Sequence, residues 1–547
     1  MNNETKHSSA AGNFLVQGSI LAAAGILVRF IGLLYKIPMT RILGTEGVGY
    51  YNTAYEIYNI GLILSSYSLP LAMSKLIAAR RVQQRHQDVQ RVFITGMAFS
   101  IFVGGIMTLI LLFGGDWITT TIFKSPSSAL PLKVMAPTIF VFSIMGVIRG
   151  YFQGHGNMVP TSVSQIIEQI VNAAVSIAAS YTFSIWFAAR ANQKSYAAAG
   201  GTLGTLSGAV ASLIFLVILM SRYRRKHADA LNQPQETDIE TWNTVFTTLL
   251  LTLTPIILSQ FVYQLSGSVD NSMFGMIMDS KGLTEKERAS LLGVYSGEYR
   301  LLTNVPVAIA SSLGASMIPS IVRSRTQNDP AAVQSKIQMA IKFNMLIAIP
   351  CSVGMGVLAG PIMQLIFGDT SKLAADIMTI GSFAVTFFSL STVTNSVLQG
   401  IDLMRKSVTH SAISLVIHVV LVYVMLKYLN LGVYGLVIGN VSFALVVCLL
   451  NWIAVGRAIS YHQEIKTTFL LPLSAALIMG GVTNIVYNVL HALLKSNALA
   501  LCISVPIAMA VYAVLIILMK AVTAEELPDM PFGMRILKLC KKLKLMK

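Results

Sequence analysis

Charge is scarce in this 547-residue chain: Asp, Glu, Lys and Arg together make up 12% of it, about half the share usual in water-soluble domains. With 54% hydrophobic side chains, the chain carries too much apolar surface for one soluble core. Cysteine is scarce as well. Cys351, Cys448 and Cys502 sit in separate apolar runs and Cys540 in a basic tail. No CxxC or Cys/His spacing is present, which argues against a zinc site and against a disulfide framework. The apolar stretches do not alternate with polar residues, so helices are expected rather than barrel strands. No small-residue cleavage site separates the polar segment Met1–Asn13 from the first apolar run, so that run reads as a retained helix.

What the chain has is a series of apolar runs long enough to cross hydrocarbon as helix. They fall near 14–41, 49–78, 91–114, 130–152, 160–187, 199–221 and 243–267. A second set lies near 289–318, 337–359, 374–399, 407–429, 433–455, 468–491 and 497–520. About fourteen spans put both termini on one side. With the N-terminus in the cytoplasm of a bacterial cell, about 25 of the 40 Lys and Arg fall on cytoplasmic segments and helix ends. The clusters Arg80/Arg81/Arg85/Arg91, Arg222/Arg224/Arg225/Lys226 and Arg323/Arg325 share that face. The net charge of +17 then reflects topology in the plasma membrane and contact with anionic membrane lipid, with no nucleic acid required. The final stretch FGMRILKLCKKLKLMK reads as an interfacial helix.

Compared with itself at an offset of about 245, the chain aligns Tyr51 with Tyr295, Tyr55 with Tyr299, Ser68-Leu69 with Ser312-Leu313, and Gln153-Gly154 with Gln399-Gly400. Those matches imply a duplication of six helices, hence two parallel repeats about an axis along the membrane normal. The expected fold is an all-α membrane protein. An N-terminal six-helix lobe (1–228) precedes a C-terminal one (229–460), followed by two further helices (461–520) and a basic cytoplasmic tail (521–547). Gly200, Gly204, Gly208 and Ser212 form a stripe of small residues, read as close helix packing rather than substrate contact.

Charges within spans are costly, about 2.5–3.5 kcal/mol for a basic residue at a helix centre, so each asks for a partner or a wet cavity. Arg29, Glu56 and Arg300 lie well inside their expected spans, with Glu168, Asp270 and Glu298 nearer the ends. Arg29 and Glu56 share a depth in the outer half, Lys36 and Arg41 extend the basic line, and Tyr50, Tyr51 and Tyr55 add phenols at that level. This pattern suggests a cation-rich cavity able to hold a phosphate-bearing head group, because guanidinium matches phosphate oxygens bidentately. Candidate substrate-binding residues are Arg29, Lys36, Tyr51, Tyr55, Glu56, Arg149, Gln153, Glu298 and Arg300. Glu56, Asp270 and Glu298 are candidates for a coupling cation, sodium or a proton, with membrane potential as another drive. Other readings stay open: structural ion pairs for Arg29–Glu56 and Glu298–Arg300, an aromatic belt for Tyr50 and Tyr51, and snorkelling for Lys75 and Arg149. His418, alone in its span, reads chiefly as a satisfied helix-interface residue.

The stretch GILVRFIGLLYKIPMTRILGTEGVGYYNTAYEIYNIGLILSSYSLPLAMSKL, residues 25–76, resembles the opening of the polysaccharide flippases in the MOP (multidrug/oligosaccharidyl-lipid/polysaccharide) exporter superfamily. VIRGYFQGHGNMVPTSVSQIIEQI, residues 147–170, is similar to the same group, most of all to its SpoVB/YtgP branch with MurJ-type lipid II flippases among its members. The resemblance implies fourteen helices in a V of two lobes, alternating access, and a lipid-linked saccharide pyrophosphate as substrate. It assigns Arg29 of the R-x-x-G motif, Arg29 to Gly32, a part in transport. Tyr35-Lys36 replaces the family's next Arg-Asp pair, and Tyr50 stands near a family aspartate. No catalytic residue is expected. A multidrug exporter of the same superfamily, a membrane glycosyltransferase or polymerase, and a scaffold for cell-wall synthesis enzymes remain alternatives.

Overall fold

The computed structural model describes residues 2–226, 239–459, 463–523 and 526, and the described residues contain helices and turns with no strand. In the first part of the chain the helices are α1 (Asn2–Ser65), α2 (Leu69–Val82), α3 (His86–Trp117), α4 (Ala129–Met135), α5 (Pro137–Gly154), α6 (Val159–Trp186), α7 (Gln193–Lys226), α8 (Trp242–Ser280) and α9 (Glu285–Leu292). They continue with α10 (Arg300–Thr326), α11 (Pro330–Val357), α12 (Ala359–Phe367), α13 (Lys372–Gly381), α14 (Phe383–Gly400), α15 (Met404–Lys427), α16 (Val433–Ile459), α17 (Leu471–Leu494) and α18 (Asn497–Leu518). The basic stretch at residues 532–547 lies outside the described residues.

Eleven described segments are long and apolar enough to cross a membrane. The first, Ala23–Val82, has 60 residues. At 1.5 Å per residue that is about three hydrocarbon thicknesses, so it holds the first two expected spans. The chain bends at Gly44, whose φ of 69° suits glycine, and again at the turn before Leu69. The expected spans at 243–267 and 289–318 are also helical, within α8 and across α9 to α10, although they fall outside the eleven. A count of fourteen is therefore compatible with the structure.

One expectation needs correcting. The stretch left between the expected spans at 243–267 and 289–318, which reads as an outer loop, is mostly helix, because α8 runs to Ser280 and α9 begins at Glu285. Polar groups that looked loop-like have partners in the fold: Asn271 Nδ2 donates to Thr53 Oγ1 of α1 at 3.1 Å, and buried Arg288 pairs with exposed Asp279 at 2.9 Å. A capping box between Thr284 and Glu287 starts α9. Outside the spans, the backbone and side chain of Thr284 hold the Glu287 carboxyl below its ordinary range.

The chain divides into two compact units, Met1–Gly293 and Val294–Lys547. The sequence reading put the division at 228/229, whereas α8 packs on α1, α2 and α3 in the first unit. Its entry is fixed by charge. Glu240 accepts from Arg80 at 2.5 Å and from Arg85 at 3.3 Å, and the Glu240 amide donates to Asp88 at 2.9 Å.

In the first unit α6 and α7 pack along a stripe repeating every four residues. Ser164, Glu168, Asn172, Ser176 and Ser180 of α6 meet Ser212, Gly208, Gly204 and Gly200 of α7 in antiparallel order. A Cβ on Gly204 would lie 2.6 Å from the Ser176 amide nitrogen and 2.7 Å from the Asn172 carbonyl, so only glycine allows the approach. Ser176 Oγ donates to the Gly201 carbonyl at 2.8 Å, and Ser212 Oγ to the Ser164 carbonyl at 3.0 Å.

In the second unit α14 reproduces α5. Pro137–Gly154 and Phe383–Gly400 are both 18 residues long, offset by 246 at each end, and each follows a one-residue break, at Ala136 and Ser382. The helix after α14 is joined to α16 by neutral polar groups. Asn451 Nδ2 donates to Asn395 Oδ1 at 2.8 Å, Ser407 Oγ donates to the same oxygen at 2.7 Å, and His410 Nδ1 meets Asn451 Oδ1 at 2.8 Å. His418 is buried with Nδ1 2.9 Å from the Gly439 carbonyl, as a satisfied interface residue should be. Beyond α18, Glu526 accepts from buried Lys342 at 2.6 Å.

Two predictions test this packing. Gly204→Leu should destabilise the protein by about 1–3 kcal/mol and lower its melting temperature in detergent, whereas Gly105→Ala, whose added Cβ meets nothing within 4 Å, should not. Partial burial acts to raise the Glu526 carboxyl, but Lys342 and the Thr523 amide outweigh it and hold the group below 4.5. Its stabilisation is therefore present above that value and lost as pH falls through the lower folded-state value. The melting-temperature gap between wild type and Glu526→Gln, measured from pH 7 down to pH 3, should close on the acid side.

Candidate functional site

On α1 the residues Tyr51, Tyr55 and Tyr58 recur at helical spacing and form one ladder. The Tyr51 and Tyr55 rings stack with centroids 6.2 Å apart, and Tyr55 to Tyr58 is 5.9 Å. Tyr51 is 1% exposed, so it is a core residue and not part of an interfacial belt. Tyr50, also buried, donates to Glu46 at 3.2 Å. The Lys36 ammonium lies 5.5 Å over the Tyr55 ring, a cation–π contact that holds the charge beside an apolar surface.

The α6 stripe reaches this ladder. Asn172 Nδ2 donates to the Tyr35 hydroxyl at 3.3 Å, and Asn172 Oδ1 lies 2.9 Å from Ser176 Oγ, competing with the Gly201 carbonyl for its one hydrogen. Lys36 and Tyr35 are adjacent on α1, so the phenol that α6 holds fixes the helix surface from which Lys36 projects. Arg29 lies seven residues before Lys36, two turns away on the same side of the helix. It is exposed, and among the described residues no ion pair joins it to Glu56, which is half-buried.

Arg149 and Gln153 sit elsewhere, where α5 meets α6 and α7. Arg149 is 7% exposed and three of its five donors are used here: Nε to Ser164 Oγ at 2.9 Å, and Nη2 to Glu168 at 2.9 Å and to Ser212 Oγ at 3.1 Å. Gln153 donates to Thr161 at 3.2 Å. Snorkelling therefore does not describe Arg149, which is buried and paired. Sequence reasoning did not name Ser164 and Asn172, although the four-residue recurrence of polar residues along α6 was the available signal.

Asp270 is 2% exposed and belongs to the first unit, beside Asn271 and its bond to Thr53. Glu298 and Arg300 belong to the second. Glu298 is 2% exposed in the π-helical turn Gly293–Tyr299, a geometry common at functional positions, and Arg300 opens α10 half-buried. Tyr295 and Tyr299 stand 5.7 Å apart there, as Tyr51 and Tyr55 pair in the first unit. The single hydroxyl hydrogen of Tyr299 has two acceptors within reach, the Gly381 carbonyl and Asn440 Oδ1, both at 3.2 Å.

The long apolar helices, with paired charges and hydrogen-bonded polar junctions inside their bundles, define a multi-pass helical membrane protein. The chain belongs to the polysaccharide biosynthesis protein family, which it matches over residues 15–325, and residues 255–424 match the MatE family. It is 24% identical over 96% of its length to stage V sporulation protein B of Bacillus subtilis (strain 168), of which it covers 99%. It is 25% identical to the lipid II flippase MurJ of the same organism, over 87% of this chain and 89% of that one. Among solved structures, lipid II flippase MurJ in an inward closed conformation superposes with a TM-score of 0.66 at 15% identity, covering 90% of this chain and 97% of that one. An inward-facing multidrug resistance MATE transporter of the MOP superfamily gives 0.62 at 15% identity, covering 79% and 99%. The fold is that of MOP-superfamily transporters.

The Arg149 node generates a test. Arg149→Ala leaves Glu168 buried without its partner and should cost about 3 kcal/mol. Unfolding of the two single variants and of Arg149→Ala/Glu168→Gln completes a cycle, in which the double variant should lose clearly less than the sum of the singles.

Proposed function

We propose that the protein is a flippase that moves a polyprenyl-linked saccharide from the inner to the outer leaflet of the bacterial plasma membrane by alternating access, with both termini cytoplasmic. The observation that carries the reading is Arg29. It is an exposed guanidinium within the first apolar span, with no described acidic partner, two turns from a lysine held over a tyrosine ring. Exposure of such a group to hydrocarbon would cost about 2.5–3.5 kcal/mol on the insertion scale. Water and an anionic head group remove that cost. A diphosphate suits it best, since guanidinium binds its oxygens bidentately while Lys36 adds a point charge. Sugar hydroxyls suit the phenols and amides near α1. Arg300 supplies a further cation in the second unit, and Glu56, Asp270 or Glu298 would hold a coupling sodium ion or proton, with membrane potential as a parallel drive. The similarity to stage V sporulation protein B and to a lipid II flippase supports this substrate class over a cationic drug.

In vesicles containing purified protein and a labelled polyprenyl diphosphate disaccharide, Arg29→Ala should slow appearance of the head group on the opposite face at least tenfold. Arg29→Lys should retain part of the rate. Unchanged rates in both Arg29→Ala and Arg300→Ala, with normal insertion, would overturn the assignment.

A further inference from the structure

Between α3 and α8 runs an apolar groove of about 470 Å³, walled by Ile94, Ala98, Phe99 and Phe102 on α3 and by Trp242 and Phe246 on α8. The Phe99 and Phe246 rings stand 6.5 Å apart, while Ile94 and Phe102 are 50% and 68% exposed, so the groove has a floor and an open side. Along α3 it extends for about 14 Å, nine residues at 1.5 Å each. That shape accepts a hydrocarbon chain lying along the helix.

The end of the groove is basic. Arg91 lies with its guanidinium 5.1 Å over the Trp242 ring and donates through Nη1 to the Glu240 carbonyl, which fixes the group in place. A guanidinium has five N–H donors, and no other hydrogen bond of Arg91 to a described residue is recorded. The nearby carboxylates do not neutralise it, because Glu240 is bound by Arg80 and Arg85, and Asp88 by Arg85 and the Glu240 amide. Among the described residues of this cluster, three arginines stand against two carboxylates, an excess of one positive charge at the groove mouth. Trp242, 49% exposed, is the amphipathic residue favoured at head-group depth.

We propose that this groove binds an anionic phospholipid, with one acyl chain between α3 and α8 and the phosphate on Arg91. A zwitterionic lipid would fill the same groove but bring its own cation to the mouth, so the net charge selects against it. Trp242 then reads the head-group end, and Phe246 and Phe102 the chain. Because Glu240 and Trp242 open α8, the bound lipid would brace that helix against α3.

The experiment uses the indole as reporter. The other tryptophans, Trp117, Trp186 and Trp452, are replaced by phenylalanine, and the protein is reconstituted with phosphatidylglycerol or phosphatidylcholine carrying brominated acyl chains. At equal mole fraction, quenching of Trp242 by phosphatidylglycerol should be at least threefold stronger. Arg91→Gln should remove the preference and Arg91→Lys should keep most of it. Ala98→Phe, which fills the groove, should weaken quenching by both lipids. As a check on the unmodified tryptophan set, native mass spectrometry of wild type and Arg91→Gln should show a retained phosphatidylglycerol in the first that is lost in the second. Equal quenching by the two lipids, or a preference that survives Arg91→Gln, would overturn the proposal.

Discussion

The contact on which the first unit depends is the approach of α6 to α7 at backbone distance. Inside a bilayer, lipid tails are as apolar as leucine, so burying apolar side chains between helices offers little drive. Close packing and hydrogen bonds must do the holding. Gly200, Gly204 and Gly208 remove the side chains that would keep the helices apart, and Ser176 of α6 and Ser212 of α7 donate across the gap. The same stripe then turns outward at two places. Near one end Glu168 and Ser164 receive Arg149 from α5, and further along Asn172 reaches Tyr35 on α1. The position of α1, and with it of Arg29 and Lys36, follows from a contact made by residues with almost no side chain.

Much of this was legible in the sequence. The apolar runs located the helices because a span must be continuous, and the small-residue stripe of α7 was readable as packing because its spacing matches one helix face. The breaks were harder. Gly44 bends α1 through a backbone angle that composition does not reveal, and the π turns at Ile118–Ile122 and Gly293–Tyr299 insert a residue without any change in hydropathy. The segment at 268–288 was misread as loop for a related reason. Its polar residues Asn271 and Arg288 resemble solvent-facing ones until partners from distant parts of the chain, Thr53 and the Lys124 carbonyl, are brought in. Arg149 was ambiguous because three of its partners lie on two later helices, and pairing across helices has no sequence period.

The duplication helps identify the charges that hold the bundle. At the shared offset of 246, Arg149 corresponds to Asn395, and the two residues do the same work: each ties its helix to the following ones through side chains near the same depth. One repeat uses a guanidinium and a carboxylate, the other amides, serine and histidine. A position that tolerates both chemistries is defined by its hydrogen bonds rather than by its charge, which places Arg149 with the scaffold.

Arg29 behaves differently. Offsets of 244 to 246 carry it to Met273, Phe274 and Gly275, none of them basic, and a Cβ on Gly275 would strike the Phe123 carbonyl. That stretch of α8 lies in the first unit and packs backbone against Phe123, with no cation at the matching positions. Had Arg29 served the bundle, its counterpart should have kept some polar group, as Asn395 does for Arg149. Arg29 therefore stands outside the pattern that the two repeats hold in common, in contrast to Arg149, whose hydrogen-bonding role recurs at Asn395.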